Sequence, residues 1–322
     1  MGQKIVKSKL FIEEDEVETL AEVSEEQPKP WGPEAKLDIV GKPVNRVDGY
    51  DKVSGTARYT FDIELPNMVH AATLRCPHPH AKIKSIDTSA AEKLDGVLAV
   101  LTHVNAPDIG WYYNTSKLFD PTLRYEGDEV ACLAAVSPER AKEALKRIQV
   151  EYEELPFVVD AGEALKEDAP KLHEWGNVSR GRPSTYSRGD VDQGFAEADV
   201  LVEDTYTTQV AVHNPLEAHC SVANWDGDAL TVWDSTQAIF GVRDTVAASL
   251  DLPASKVRVI KKYMGGGFGS KLEAGKYTVM AALLARKTGR PVKIALDRKE
   301  MNLAVGNRPD SVQKFKIGAK KD

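Results

Sequence analysis

The sequence predicts a mixed α/β protein with two globular domains behind a charged N-terminal arm. Three observations carry this expectation. The chain has 322 residues and 42% hydrophobic content, enough for two ordinary cores and too apolar for overall disorder. Apolar runs of strand length alternate with helical patterns. A polar stretch over residues 160 to 196, punctuated by Pro and Gly with little periodicity, reads as an extended connection between the two parts. The formal charge of −7 argues against nucleic acid or an anionic membrane surface as a partner. The three cysteines, Cys76, Cys132 and Cys220, share no Cys-x-x-Cys spacing. They cannot form a disulfide framework, a four-thiolate zinc site or a four-thiolate iron–sulfur cluster. No apolar run is long enough to span a bilayer, and the N-terminus lacks a signal-peptide core. Val6 stands where myristoylation after Gly2 requires Ser or Thr, so a cytoplasmic location is expected.

The charge is concentrated in the arm. Glu13, Glu14, Asp15, Glu16, Glu18, Glu22, Glu25 and Glu26 follow one another with no basic residue between them. Taking these eight from the 49 acidic residues, against 42 basic ones, leaves the rest of the chain at +1. Pro28, Pro30 and Pro33 follow and oppose a continuous helix. Residues 1–37 are therefore expected to be a solvated tail or linker. The alternative is an arm laid over a partner subunit and anchored by Trp31.

The first domain is expected over residues 38–160. Arg58 to Ile63 is a run of β-formers closed by Pro66. Val97 to Leu101 is a continuous apolar run, as in a strand covered on both faces, and Val130 to Val136 is another. Ser137-Pro138-Glu139 opens a helix, with Ser as N-cap and Pro at the first helical position. Ala141, Ala144, Leu145 and Ile148 supply its apolar face. Val150 to Glu153 alternates like a strand, so the order suggests a β-α-β layer.

After the connection, 161–198, the second domain is expected over 199–322. Strands are expected at Val200–Thr208, Cys220–Trp225 and Ala229–Trp233, the last two joined by the hairpin turn Asp226-Gly227-Asp228. Asp234 to Gln237 is a natural N-cap region for a helix carrying Ile239, Val242, Val246 and Leu250 and ending near Pro253. Val257 and Val259 lie on a strand entering Gly265-Gly266-Gly267-Phe268-Gly269-Ser270-Lys271. A helix with Tyr277, Met280, Ala281 and Leu284 on one face follows, stopped by Gly289 and Pro291, and Val292–Leu296 is a last strand.

Strand, glycine turn and helix together can present backbone N–H groups to an anion. Consecutive glycines also let a ligand approach where no Cβ intervenes. The loop fails as a phosphate-binding Walker loop, because Lys271 follows Ser270 and precedes Leu272. It fails as a dinucleotide fingerprint too, because Ser270 stands where Gly or Ala is required. A plain tight turn is the competing reading. His78-Pro79-His80 offers two imidazoles but no third ligand, as in an ordinary surface loop. Glu217 and His219, at the start of a strand, are expected to point to one side as a satisfied polar cluster.

Several stretches in order resemble one family. They are Gly41-Lys42-Pro43 through Asp48, Lys52-Val53-Ser54-Gly55 through Tyr59, Arg75-Cys76-Pro77-His78-Pro79-His80-Ala81, Gly96 to Val100 and Tyr125 to Ala131. These resemble the small α/β "hammerhead" domain of the molybdenum-binding subunit of the xanthine dehydrogenase/aldehyde oxidase family. Asn214 to Cys220, Ser235-Thr236-Gln237 and Met264-Gly265-Gly266-Gly267-Phe268-Gly269 resemble the start of its molybdopterin-binding region. The resemblance covers residues 38 to 320, and several motifs in sequence make it far more specific than one glycine loop.

The resemblance implies a molybdenum–molybdopterin cofactor, in the cytosine dinucleotide form usual for bacterial members. It implies hydroxylation of an aldehyde or of a carbon next to nitrogen, with oxygen from water. Gln237 then matches the glutamine that hydrogen-bonds a metal-bound oxygen or sulfur. Gly266, Gly267, Phe268 and Gly269 match the loop whose backbone approaches the cofactor. No protein side chain is assigned to the metal. An amide donates without adding charge, and glycines give amides access to anionic groups.

Two departures qualify the match. Purine-oxidising relatives carry a glutamate after the Lys271 position, where this chain has Leu272. Glu273, one place later, would on a helix point about 100° away, so an aldehyde or another heteroaromatic is favoured. The general-base glutamate and further cofactor loops of the family lie beyond the point equivalent to Asp322. No catalytic base is assigned here, and the chain alone is not expected to be active. A second molybdopterin-binding subunit carrying the C-terminal part is the expected partner, with an iron–sulfur subunit and, optionally, a flavin (FAD) subunit. The alternatives are a reductive member acting on an aromatic acyl-thioester, or a cofactor-free structural or assembly subunit.

Overall fold

The computed structural model describes residues 3–12, 15–24 and 30–321 and forms two compact units, Met1–Thr56 and Ala57–Asp322. In the first unit, β1 (Gln3–Ile12) pairs antiparallel with β2 (Asp15–Ser24). Part of the expected solvated tail is therefore a strand. Val17, Thr19, Ala21 and Val23 alternate with other residues there, which is the strand period, and β1 supplies the partner that a charge count cannot reveal. Glu13, Glu14, Glu25, Glu26 and Pro28 lie outside the described residues, as do Met1 and Gly2. Trp31 is largely exposed, and the unit closes with a short helix, α1 (Gly49–Val53).

The second unit begins with β3 (Val69–Arg75), β4 (Ala81–Asp87), α2 (Ser89–Glu92), β5 (Val97–Thr102), the short β6 (Gly110–Trp111), β7 (Ser116–Lys117) and β8 (Thr122–Leu123), and β9 (Glu129–Ala135), α3 (Pro138–Leu145) and β10 (Gln149–Glu154). The expected connection holds two small helices, α4 (Ala161–Ala164) and α5 (Val191–Ala196). Then come β11 (Val200–Thr208), β12 (Cys220–Asp226), β13 (Ala229–Asp234), α6 (Ile239–Ser249), β14 (Val257–Ile260), α7 (Lys276–Thr288), β15 (Val292–Ala295), α8 (Arg298–Ala304) and β16 (Ser311–Ala319).

One mixed sheet organises this unit, a seven-stranded array in the order β14-β13-β12-β15-β3-β9-β5. Strands from both expected domains are members. The join is the parallel pairing of β15 with β3, Val292 opposite Val69 and Ile294 opposite Ala71. The two parts consequently share a core instead of each closing its own. Val69, Leu101 and Cys132 from the first cluster with Val232, Met280 and Ile294 from the second.

The uninterrupted apolar runs have a direct cause: helices cover both faces of the sheet. On β9, Cys132 and Ala134 face the cluster that includes α7, while Ala131, Leu133 and Ala135 face the cluster built on α2 and α3. On β5 the same division separates Ala99 and Leu101 from Val100. Helix α3 starts where the sequence places it, with Ser137 Oγ accepting from Arg140 N at 3.2 Å. The following strand does not return to the same sheet. β10 joins β4 and β8 in a separate three-stranded sheet, so the expected β-α-β layer is not formed.

Other local expectations give way to side-chain bonding. Arg58–Ile63 is a 3-10 turn over Thr60–Asp62 instead of a strand, because the Asp62 carboxylate accepts Tyr59 N–H at 2.9 Å. Helix α6 has Ala238 at its N-cap with no side-chain cap. Asp234, Ser235 and Thr236 are buried. Thr236 Oγ1 accepts Ala238 N–H at 2.9 Å just ahead of the helix, while Asp234 and Ser235 bond to Thr278 and Cys220. Among the described residues no helix is long and apolar enough to cross a membrane.

Candidate cofactor site

The glycine loop leaves β14 through Lys261–Met264 and is tied down at both ends. Gly265 N–H donates to Glu217 Oε2 at 2.8 Å, and Glu217 N–H returns a bond to Gly265 O at 3.2 Å. At the far end Gly269 N–H donates to Gln237 Oε1 at 2.9 Å, and Ser270 N–H closes a turn on Gly267 O at 2.9 Å. Gly266 and Gly269 have φ near +100°, and Phe268 has φ +51°, a region costly for a non-glycine residue. A side chain at Gly267 would overlap the Gln237 amide, and one at Gly266 would press on Pro215 and the Phe268 ring. Gly267 is therefore required by close approach, and Gly266 by its positive φ as well.

The loop differs from its expected form. Helix α7 begins at Lys276, so the glycines do not sit at a helix N-terminus, and Leu272 and Glu273 lie before the helix in exposed turns. The 100° separation argued for Glu273 on a helix does not apply. What the loop does offer is a short run of backbone donors. Among the described residues, the N–H groups of Gly266, Gly267 and Phe268 carry no hydrogen bond, while those on either side are taken. Successive free amides in a turn of this kind form an anion-seeking concavity.

Gln237 is brought directly against this ledge. Its backbone N–H donates to Lys271 O at 2.7 Å, and its side-chain oxygen is occupied by Gly269. The amide is thereby oriented: with Oε1 committed as acceptor, the Nε2 group remains as a donor. Phe268, 73% exposed, extends from the ledge. All five residues singled out by the sequence, Gln237, Gly266, Gly267, Phe268 and Gly269, thus meet at one place. His78 and His80 do not join them. His80 Nδ1 lies 2.7 Å from Pro156 O, and His78 stacks edge-on with Tyr152.

Beneath the ledge lies a buried polar layer that sequence reasoning underrated. Lys271 has a fully buried side chain whose Nζ donates to Glu217 O at 3.0 Å and Glu217 Oε2 at 3.1 Å. Burial pulls its pKa down, and Glu217 only partly restores it. His219 is fully buried, with Nε2 3.2 Å from Ser270 O. Burial drives its pKa to about 4, so the ring is neutral and donates to that carbonyl. Asp234 accepts Thr278 Oγ1 at 2.7 Å, and burial raises its pKa to about 6. The only signal in the sequence was the motif order itself: Glu217 and His219 sit in one matched stretch and Lys271 just after another.

A cleft of about 860 Å³ opens beside the loop, with Trp111, Tyr112, His213, Gly269, Leu272 and Tyr277 in its walls. Leu272 is 53% exposed. Among the described residues no three His, Cys, Asp or Glu side chains converge as a metal site. The donor set of free amides and one carboxamide suits an anionic, ligand-bearing cofactor.

Residues 54–156 match the aldehyde oxidase and xanthine dehydrogenase a/b hammerhead domain, and residues 172–322 match the molybdopterin cofactor-binding domain. The nicotinate dehydrogenase large molybdopterin subunit of Eubacterium barkeri is 38% identical over 88% of this chain and 67% of its own length. The aldehyde oxidoreductase molybdenum-binding subunit PaoC of Escherichia coli (strain K12) is 36% identical over 90% of this chain, which spans 40% of that subunit. The crystal structure of quinoline 2-oxidoreductase from Pseudomonas putida 86 superposes with a TM-score of 0.77 at 29% identity, over 86% of this chain and 37% of the other. On the two matched domains and the extended identity, the chain belongs to the molybdopterin-binding subunits of the xanthine dehydrogenase/aldehyde oxidase family.

Proposed function

We propose that this chain supplies one wall of the active site of a molybdenum hydroxylase acting on an aldehyde or an N-heteroaromatic compound, and that a second chain supplies the rest. The observation that carries the reading is the junction of Gln237 with the glycine ledge. Three unpaired N–H groups at Gly266, Gly267 and Phe268 adjoin a carboxamide whose oxygen is already engaged by Gly269. When bound, the molybdenum cofactor supplies two-electron oxidation with oxygen drawn from water. This chain's part is to bind and orient it. The ledge amides would hold anionic groups of such a cofactor, and Gln237 Nε2 would donate a hydrogen bond toward the metal's own ligands without adding charge. The substrate would enter by the cleft, whose lining includes both Leu272 and Glu273. Relatives named for nicotinate, quinoline and aldehyde fit that class, alongside others named for xanthine and hypoxanthine. The cytosine dinucleotide form of the cofactor, iron–sulfur clusters and FAD on partner subunits, and a cytoplasmic location belong to the same proposal.

A partner chain is supported by the β11–β16 ribbon. It is only two strands wide, and Val202, Tyr206, Phe315 and Ile317 share one of its faces at about half exposure. Such a ribbon is marginal in water without further cover. The test is to purify the chain with whatever accompanies it and to measure molybdenum and pterin. Both are expected, together with a companion chain. Gln237→Ala is expected to lower turnover on the order of 10²-fold. Absence of metal and pterin from an otherwise folded complex would overturn the reading in favour of a structural subunit.

A further inference from the structure

Lys271 is a charged side chain sealed beneath the loop, and the proposed chemistry makes no direct use of it. Its contacts nevertheless run to every part of the site. Through Nζ it grips Glu217 at both the carbonyl, 3.0 Å, and Oε2, 3.1 Å. That same Oε2 accepts Gly265 N–H at 2.8 Å, so the lysine neutralises the group that holds the first glycine. Through its carbonyl it accepts Gln237 N–H at 2.7 Å and Thr236 Oγ1 at 3.0 Å. Gln237 in turn holds Gly269. The chain of bonds closes from Gly265 through Glu217, Lys271 and Gln237 to Gly269, and the three free amides lie between its ends.

We propose that Lys271 is the positioning residue of this site, its ammonium and its carbonyl together fixing Gln237 and the glycine ledge in one frame. The inference rests on the cofactor reading of the ledge. Its physical basis is that a buried carboxylate holds its acceptor geometry only while a counter-charge and donors satisfy it. Glu217 Oε1 has no partner of its own, so Glu217 depends on Lys271 for that compensation. Small displacements of a donor set in an active site are costly to rate even when binding survives. A lysine that merely supported the fold would alter stability and leave the loop's local behaviour unchanged.

The experiment is hydrogen exchange on the full chain with its copurifying partners, following the peptide over residues 262–271, alongside steady-state kinetics. Gly265 and Gly269 N–H report the two ends of the bonded circuit directly. In Lys271→Met their exchange should quicken at least tenfold while peptides from α7 and β9 exchange as before, and kcat should fall with substrate KM nearly unchanged. Unaltered loop exchange, or an equal rise in every peptide, would overturn the proposal. Should that variant fail to fold, Thr236→Val removes the hydroxyl bond to Lys271 O in nearly the same shape. The same change frees Ala238 N–H, which Thr236 Oγ1 accepts at 2.9 Å, so the melting temperature should fall somewhat. Gly269 exchange should quicken severalfold more than that of α7 and β9 peptides, and no such local excess counts equally against the idea. If the complex holds no molybdenum or pterin, the functional reading fails by itself, while the exchange result still decides whether Lys271 anchors the loop.

Discussion

Lys271 and Lys276 stand five residues apart, and both are buried, yet they occupy opposite electrostatic settings. Lys276 Nζ lies 3.1 Å from Asp128 Oδ1 and 2.9 Å from Glu129 Oε2. Arg75 completes the cluster, reaching Glu129 Oε1 at 2.9 Å and Glu300 Oε1 at 3.0 Å. Burial pulls Lys276 down, but Glu129 and Asp128 outweigh it and its pKa is raised. Glu129, opposed by burial, is still held low by Lys276 and Arg75. Lys271 has one carboxylate partner, and there burial prevails. The difference separates a joint from a candidate site. The Lys276 cluster binds β3, β9, α7 and α8 through charges that compensate Lys276, Arg75 and Glu129, with Asp128 alone still raised by burial and by Glu129. In the polar layer under the glycine loop, by contrast, burial prevails over the single carboxylate beside Lys271. Natural sites commonly carry such local imbalance.

That contrast can be broken or sharpened. The largest effect is expected from Lys276→Met, which leaves two buried carboxylates with Arg75 as their remaining cation. It should cost about 3–5 kcal/mol in denaturant unfolding, and a loss below 1 kcal/mol would mean the joint is no joint. Next is a pH effect on the loop side. Asp234 has its pKa raised from 3.8 to about 6 by burial. Its contribution to stability is therefore complete below pH 3.8 and lost as pH rises through 6. Asp234→Asn cannot titrate, so its stability relative to the parent should improve by about 2–3 kcal/mol between pH 4 and 6.5. A difference independent of pH would remove the claim that this layer is under-compensated. Gly267→Ala should cost about 1–3 kcal/mol by overpacking and lower cofactor content, since the new methyl overlaps Gln237. Thermal melting and metal analysis check it. Smallest is Phe268→Ala. With the ring 73% exposed, unfolding should change by no more than about 0.5 kcal/mol, and a large loss would mean the ring is part of a core.

Local readings succeeded where the cause was local. Ser137 caps α3 because hydroxyl and backbone are neighbours in sequence, and β11 runs over Val200–Thr208 as its residue pattern implies. Arg58–Ile63 failed because one carboxylate, Asp62, captured Tyr59 N–H. The Asp234–Gln237 cap failed because α6 starts one residue later, with Ala238 as its N-cap, where Thr236 Oγ1 reaches only the N-cap N–H and Asp234 is taken by Thr278. The candidate site was legible as motifs, and Gln237 with the glycine loop proved to be one place. The burial of Lys271 was not legible there, because its partner Glu217 lies 54 residues away in sequence.

By itself the sequence determined the α/β class, the strand and helix stretches, the family and the loop that carries the glycines. These follow from periodicity, turn chemistry and motif order, which act over a few residues. Only the tertiary structure decided that strands of both halves share one sheet through Val69 and Val292. It alone decided that Lys276 meets Asp128 and that Lys271 meets Glu217, partners 148 and 54 residues away. Such pairings are selected by the balance between burying a charge and compensating it, and that balance exists only once the chain has brought distant segments together.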